Sequence, residues 1–201
     1  MSPPRSRPYH HGDLRRALLD EAVALIGEQG VPALSLRELA RRAGVSHAAP
    51  AHHFGDKTGL LTAVAIEGYD LLAGELRAVW EATGDFLEVG AAYVRFAVEH
   101  QAHFEVMYRP ELHDPDDEDL GRAVAASSEF LYGPVAGLPG DEARQAALAG
   151  WSLMHGLANL WISGNLPAGL GDDPAELART VGRHLYSGRS RRTINRRRSR
   201  R

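Results

Sequence analysis

The chain contains no cysteine, and this absence excludes three kinds of chemistry. Without thiols there is no disulfide framework, no thiolate zinc site and no cysteine nucleophile. A run of about 18 apolar residues, which would span a bilayer, is also missing. The N-terminus MSPPRSRPYHHG lacks the apolar stretch of a signal peptide. We therefore expect a cytoplasmic protein that has no membrane partner.

The alternating runs of β-branched residues that are typical of strands are missing too. Apolar residues instead recur at spacings of three and four along most of the chain, which predicts an all-α protein. No carboxylate pair, catalytic triad or phosphate-binding loop occurs in a context that favours catalysis. We expect neither an enzyme nor a cofactor.

Charge is segregated along the chain, although the net charge is only −3. Residues 1–57 carry a balance of +2, residues 58–188 a balance of −13, and the last 13 residues hold 8 arginines and no acid. The head is therefore the part suited to a polyanion, since the acidic body is repelled by nucleic acid. The arginine-rich end is predicted to be a disordered tail, and it is either a source of nonspecific DNA affinity or dispensable.

Capping residues and glycines divide the chain into eight predicted helices. Asp13, Ser35 with Glu38, Ser46 and Asp56 are the predicted N-terminal caps. The predicted helices span residues 13–30, 35–44, 46–53, 56–80, 85–108, 118–132, 141–163 and 174–187. The helix 141–163 is apolar on more than one side, which indicates burial in the core or against a partner subunit.

Two short helices around Gly44-Val45-Ser46, preceded by a supporting helix, match a helix-turn-helix. Ala40 is small enough for two helices to cross closely, and Gly44 can take the left-handed conformation that ends the first of them. A plain helical hairpin also uses such turns, so the spacing alone leaves both interpretations open.

The N-terminal region resembles the DNA-binding domain of the TetR family of bacterial transcriptional repressors. The resemblance covers about residues 9–65 and consists of A-x-x-x-G-V-S from Ala40 to Ser46, H-F-x-x-K from His53 to Lys57, and the following Leu60 and Leu61. The segments YHHGDLR, SHAAP and WSLMHG resemble a subgroup whose regulatory domain is named after its Trp, His and Gly.

The resemblance implies four segments: a flexible arm (1–12), a helix-turn-helix domain (13–65), a helical regulatory and dimerisation domain (66–188) and the basic tail (189–201). The helix from His47 to His53 then enters the major groove, while His53 and Lys57 contact phosphates. The arginines around the turn either contact the DNA backbone or form a solvated face. The candidate DNA-binding residues are Arg37, Arg41, Arg42, Ser46, His47, Ala48, Ala49, His52, His53 and Lys57. Tyr9, His10 and His11, with Arg5 and Arg7, form an arm that we hypothesise to contact the minor groove or phosphates.

The predicted recognition helix is poor in polar groups and departs from the family pattern. Ala51 stands where the family commonly has a tyrosine that contacts the DNA backbone. Pro50 lacks the N–H that would bond to the carbonyl of Ser46, so the opening turn is predicted to be loosened or 3₁₀-like. Polar base reading falls to His47 and His52, and shape readout with the arginines around the turn is our provisional source of further specificity.

For the C-terminal half, the resemblance implies homodimerisation through the helices at 141–163 and 174–187, and a pocket for an unidentified small-molecule effector. Two-fold symmetry also follows from geometry, because one short helix reads few base pairs, and it predicts an inverted-repeat operator. Apolar helical faces supply candidates that either line a pocket or form plain core: Tyr93, Phe96, His100, Phe104, Met107, Trp151, Met154, His155 and Trp161.

His100 and His103, with Glu99 nearby, and also His155, are candidate metal ligands. Residues at i and i+3 can hold one ion, but two ligands on one helical turn are a weak signal for a metal site. We therefore expect His103 on the surface and no bound metal.

The leading function is a ligand-released DNA-binding repressor. The alternative is a nucleic-acid-binding protein without small-molecule control, of the nucleoid-associated type.

Overall fold

The computed structural model describes residues 11–132 and 140–184, with side chains for 14–130 and 141–184. Within these ranges the chain forms helices and no strand, which confirms the all-α fold. The predicted tail, residues 1–10 of the arm and residues 185–187 of the last predicted helix lie outside the described residues. The nine described α-helices are α1 (His11–Gln29), α2 (Leu36–Ala43), α3 (Ala48–Phe54), α4 (Lys57–Thr83), α5 (Phe86–Glu99), α6 (Gln101–Met107), α7 (Glu118–Tyr132), α8 (Gly140–Ile162) and α9 (174–184).

Residue contacts divide the chain into two compact units. The N-terminal unit comprises Met1–Gly68 and Ala102–Gly121, and the C-terminal unit comprises Tyr69–Gln101 and Arg122–Arg201. Residues 102–121 thus belong to the N-terminal unit by contact. The predicted boundary between the DNA-binding and regulatory domains, between residues 65 and 66, stays a prediction. Among the described helices of either unit, none is both long and apolar enough to cross a bilayer.

The core of the N-terminal unit is built from one face of α1 and the helices packed on it. Leu18, Ala22 and Leu25 recur at helical spacing and are fully buried. Helix α2 packs against α1, and Leu39 of α2 and Leu60 of α4 are equally inaccessible to water. Burying a leucine contributes about 1.5–3 kcal/mol relative to leaving it exposed, so this face fixes α2 and α3 on their supporting helix.

The core of the C-terminal unit is centred on α5, which packs against α8. Val94 and Phe96 of α5 and Ala158 of α8 are fully buried. A Cβ added to Gly182 of α9 would lie 2.5 Å from Leu87 Cδ1, so a side chain at this position would displace that leucine. That glycine therefore allows α9 to approach α5 closely.

Several predicted helix boundaries are wrong, and the largest error is the single helix predicted over 85–108. The structure ends α5 at Glu99 and starts α6 at Gln101, because His100 leaves helical geometry at φ −116° and ψ 44°. No proline or glycine marks this break in the sequence. At the N-terminus, α1 already begins at His11, so Asp13 is not its cap.

Candidate nucleic-acid interface

The turn between α2 and α3 has the geometry that its sequence predicts. Ser35 Oγ accepts a hydrogen bond from the Glu38 backbone N–H at 3.1 Å and caps α2. At the other end Gly44 is left-handed, with φ 66° and ψ 30°. The N–H of Gly44 donates to Arg41 O and that of Val45 to Ala40 O, the paired bonds of a Schellman turn. This turn fixes the direction in which α3 leaves α2.

Helix α3 begins at Ala48, and Ser46 does not cap it. The N-cap position falls on His47, whose backbone is already helical and whose side chain makes no capping bond. The Ser46 carbonyl instead accepts from the Ala49 N–H at 3.0 Å, an i to i+3 bond of the 3₁₀ type. The physical reason is Pro50, which has no N–H to give to that carbonyl, as the sequence predicts.

The two faces of α3 differ sharply in exposure. Pro50 and Phe54, four residues apart, are buried and join the helix to the core. Ala48, Ala51 and His52 are exposed on the outer face. The remaining candidates are exposed at Ser46 and His47, and partly exposed at Ala49 and His53. The outer face therefore offers methyl groups and imidazoles.

The three candidate arginines on α2 differ in how firmly they are held. Arg42 forms ion pairs with Glu21 and Glu28, the latter at 2.7 Å, and its side chain is only 20% exposed. The hydrogen bonds that its guanidinium donates to these carboxylates, to Glu28 first, raise the pKa of Arg42. Arg41 pairs with Glu38 of its own helix, and its side chain is 67% exposed.

Arg37 is exposed on α2, and no ion pair holds it among the side chains that the structure describes. Exposed pairs such as Arg41–Glu38 are weak and exchange partners readily. Of the three arginines, Arg37 and Arg41 are therefore available to an approaching phosphate, and Arg42 is committed to joining α1 and α2.

Lys57 stands at the first position of α4 and already has a protein partner. Its Nζ donates to the backbone carbonyl of Val31 at 3.0 Å. Asp56 caps the same helix through the Gly59 N–H at 2.9 Å, as predicted. The ammonium group is thus held beside a helix N-terminus, a place that suits an anion.

Arg15 is a neighbouring cation that the candidate set lacks. Its guanidinium lies over the Phe54 ring, 5.2 Å from the centroid, and it lines a cleft of about 410 Å³ with His53 and Thr58. In the sequence, Arg15 could have been found as a candidate because it ends the YHHGDLR segment, which is part of the family resemblance. The same cleft is lined by four carboxylates, which repel phosphate and limit the extent of a DNA-facing surface: Asp56, Asp114, Asp117 and Asp119.

In the C-terminal unit, three of the pocket candidates form one polar aromatic cluster. The Tyr93 hydroxyl lies 2.8 Å from His155 Nδ1, and Trp151 Nε1 donates to the same hydroxyl oxygen at 3.3 Å. Burial lowers the pKa of His155, so its neutral form is favoured. Tyr93 is buried, while Trp151 and His155 are partly exposed.

The other pocket candidates are distributed over both units. Phe96 and His100 stack with ring centroids 4.7 Å apart, Met154 is buried and Trp161 is partly exposed, all in the C-terminal unit. Phe104 and Met107 are buried in the N-terminal unit instead. The nine residues therefore do not form a single cluster within either unit.

The expected surface position of His103 is wrong. Its side chain is buried, with Nε2 at 3.5 Å from Glu67 Oε2. The break after Glu99 restarts the helix and turns His103 toward α4. His100 Nε2 faces Glu75 Oε1 at 3.5 Å. The two imidazoles thus face different carboxylates and do not form one metal site together.

Comparisons with known proteins agree with this arrangement. A family model described as "Bacterial regulatory proteins, tetR family" matches residues 18–64. A second, "Tetracyclin repressor-like, C-terminal domain", matches residues 86–185. The narrower subgroup indicated by the Trp, His and Gly segment stays a prediction.

Relatives and solved structures cover most of the chain. The HTH-type transcriptional regulator BetI of Cronobacter sakazakii is 32% identical over an alignment of 184 residues, and the match covers 83% of this chain and 86% of that one. The BetI protein of Rhizobium meliloti is 32% identical over 152 residues, covering 71% and 75%. A solved structure of a protein with unknown function from Rhodococcus sp. RHA1 has a TM-score of 0.77, 34% identity and coverage of 91% and 98%.

A further solved structure supports the fold alone. The TetR family regulator PfmR of Thermus thermophilus has a TM-score of 0.62 at 23% identity, and the match covers 82% of this chain and 93% of that one.

Three findings lead to one conclusion about the family: the capped helix-turn-helix, the two family models, and relatives that are 32% identical over most of the chain. The chain is a transcriptional regulator, not an enzyme, and it belongs to the TetR family.

Proposed function

We propose that the chain acts in the cytoplasm as a homodimeric repressor that binds an inverted-repeat operator and releases it when a small molecule binds. The observation that carries this proposal is the outer face of α3, which the Schellman turn at Gly44 leaves exposed while Pro50 and Phe54 anchor the helix. A buried anchor with an exposed face is what a recognition helix needs.

In this proposal Ser46, His47, Ala48, Ala49 and His52 face the bases. The imidazoles donate or accept hydrogen bonds at base edges, and the alanine methyl groups contact thymine methyl groups. With so few polar groups, part of the specificity comes from the shape and deformability of the operator.

Phosphate contacts come from the cations and the imidazole around α3. Arg37 and Arg41 are exposed, and Lys57 and His53 stand beside the N-terminus of α4. Arg42 contributes indirectly, because its pairs with Glu21 and Glu28 tie α2 to α1. These contacts set the register of the helix on the duplex but do not choose the sequence.

The dimer forms through α8 and α9, with α8 contributing exposed apolar side chains. Leu148 is 51% exposed and Leu160 is 46% exposed, on the face that also carries Ser152 and Gly156. Large apolar side chains around small ones suit close helix packing across a two-fold axis. The second subunit would remove both leucines from water.

The effector pocket draws on Tyr93, Trp151 and His155. Their shared hydrogen bonds provide polar groups on an aromatic wall, the usual composition of a small-molecule site. Release requires that the effector bind the non-binding arrangement of the dimer more tightly than the DNA-bound one. If the three residues are plain core, substitutions there change stability without changing release.

Fluorescence anisotropy with labelled duplexes tests the proposal. The DNA upstream of the regulator's own gene, an inverted repeat cut from it, a single half-site and random DNA are titrated at fixed salt. We expect the inverted repeat to bind at least about 100-fold more tightly than random DNA, and one class of metabolite to reverse this binding. Equal affinity for all duplexes, unaffected by metabolites, would instead support the alternative without small-molecule control.

A further inference from the structure

Three side chains with metal-ligating groups meet in the C-terminal unit. Glu75 comes from α4, and Glu99 and His100 come from the end of α5. One ligand atom from each lies within 4.8 Å of the other two. The sequence does not reveal this cluster, because Glu75 is more than 20 residues from its partners.

The spacing of these atoms suits a single ion. A tetrahedral ion with ligands at about 2.0–2.1 Å separates them by about 3.3 Å. His100 Nε2 lies 3.5 Å from Glu75 Oε1, close to that edge length. Glu99 is exposed, and one of its carboxylate oxygens lies within 4.8 Å of the ligand atoms of both other residues.

The carboxylates of this cluster are poorly satisfied by the protein. Glu75 Oε2 is buried and accepts no hydrogen bond. Arg95 Nη2 lies 3.7 Å from Glu75 Oε2, and Arg95 Nε lies 3.9 Å from Glu99 Oε2, both beyond hydrogen-bonding distance. A buried carboxylate oxygen without a donor is costly, and an ion bound to it would remove that cost.

The imidazole is held in place by its surroundings. His100 stacks on Phe96 with ring centroids 4.7 Å apart, and Phe96 is fully buried. The break between α5 and α6 falls on His100 and turns its Nε2 toward α4. A ring whose orientation is fixed in this way is a better ligand than a mobile one.

We propose that Glu75, Glu99 and His100 bind one divalent transition-metal ion of the zinc class, with water completing the coordination. One imidazole with two carboxylates favours Zn²⁺, Co²⁺ or Ni²⁺, whereas Mg²⁺ and Ca²⁺ prefer oxygen ligands alone. Arg95 is the competing cation: its side chain is 42% exposed, so it can move into solvent when the ion binds. This inference does not depend on the proposed repressor function.

The test uses the full untagged chain, with Co²⁺ absorption reporting coordination and a chromogenic chelator reporting Zn²⁺ affinity. We expect Glu75→Gln to weaken the site at least about tenfold, because it removes one of three protein ligands. Arg95→Met should tighten it by about threefold, because a nearby positive charge is lost. Glu81→Gln, an exposed glutamate on the same helix, is the matched control and should change nothing.

Metal binding at other histidines is the outcome that would contradict the proposal. His52 and His53 are adjacent on α3, with ring centroids 5.5 Å apart, and adjacent imidazoles can bind metal weakly. If the metal is lost in the double variant His52→Ala, His53→Ala and is retained with unchanged affinity in Glu75→Gln and His100→Gln, the proposal is wrong. Circular dichroism on each variant establishes that it is folded, so that a lost site is not a lost fold.

Discussion

The exposed faces of α3 and α8 are both nearly free of charge, but their side chains differ in size. Helix α3 exposes Ala48, Ala51 and His52, whereas α8 exposes Leu148 and Leu160. Small side chains let a helix backbone approach the floor of a groove, while exposed leucines are stabilised only when another surface covers them. The size of the exposed side chains, and not their charge, therefore predicts two different partners: DNA for α3 and a second subunit for α8.

The largest effect is expected from placing charge on the α8 face. The double variant Leu148→Glu, Leu160→Glu should weaken dimerisation at least about 100-fold, because symmetry places four carboxylates in one apolar contact. Sedimentation velocity measures the change. Leu170→Glu is the control, since Leu170 is 45% exposed in the loop after α8 and should not affect assembly. A double variant that remains as dimeric as the parent would remove α8 from the proposed interface.

On α3, the expected effect concerns sequence choice. His52→Ala should reduce operator affinity about tenfold and leave affinity for random DNA nearly unchanged, because a base contact is worth about 1–3 kcal/mol of discrimination. Anisotropy titrations on both duplexes measure the ratio. His184→Ala, an exposed histidine of α9, serves as the control. An equal loss on both duplexes would show that His52 contacts a phosphate instead.

Lys57→Ala should weaken all DNA sites by about fivefold and lower the salt slope by about one unit, as loss of one phosphate contact implies. The substitution also removes the bond from Nζ to Val31 O. Lys57→Arg keeps the charge and should restore the slope. A fall in melting temperature with an unchanged slope would mean that Lys57 serves the fold alone.

The neighbouring arginines of α2 should separate DNA affinity from stability. Arg41→Ala is expected to lower DNA affinity about threefold, because an exposed cation near phosphate is lost, and to leave the melting temperature nearly unchanged. Arg42→Ala is expected to lower the melting temperature, because Glu21 and Glu28 lose their shared partner. Thermal melts and salt titrations on both variants measure this. The reverse pattern would exchange the roles of the two residues.

The helix-turn-helix was more predictable from the sequence than the segment around His100 and His103, for a local physical reason. Ser35, Gly44 and Pro50 act through backbone geometry within a few residues, so the turn and the 3₁₀ bond at Ser46 followed from the sequence. The break at His100 has no local signal, and the burial of His103 depends on Glu67 of another helix. The capping of α3 was also wrong, because the helix starts beyond Ser46.

Long-range pairs were beyond sequence reasoning for the same reason. The sequence marks Tyr93 and His155 only as separate positions on apolar helical faces, and nothing local indicates that their side chains share a hydrogen bond at 2.8 Å. The commitment of Arg42 to Glu21 and Glu28 was equally hidden, since neither carboxylate lies on α2. Residue type and spacing locate a helix face, but the partner of each side chain depends on the tertiary packing.

The smallest predicted effect is a pH dependence in the C-terminal unit. Burial lowers the pKa of His155 below its ordinary value of 6.5. As the pH falls below this value, the unfolded chain binds more protons at His155 than the folded chain does, so the free energy of unfolding decreases. The stability is therefore fully present above pH 6.5 and is lost as the pH falls from there toward the folded-state pKa.

All three tryptophans of the sequence lie in the C-terminal unit, so their fluorescence reports unfolding of that unit in urea. His155→Gln removes the titrating group and should flatten the decline in unfolding free energy on the acid side of pH 6.5. His184→Gln, at an exposed position on α9, should leave the decline as it is. Equal declines in the parent and in His155→Gln would show that His155 titrates alike in both states, and that its bond to Tyr93 lies in a wetter environment than its burial implies.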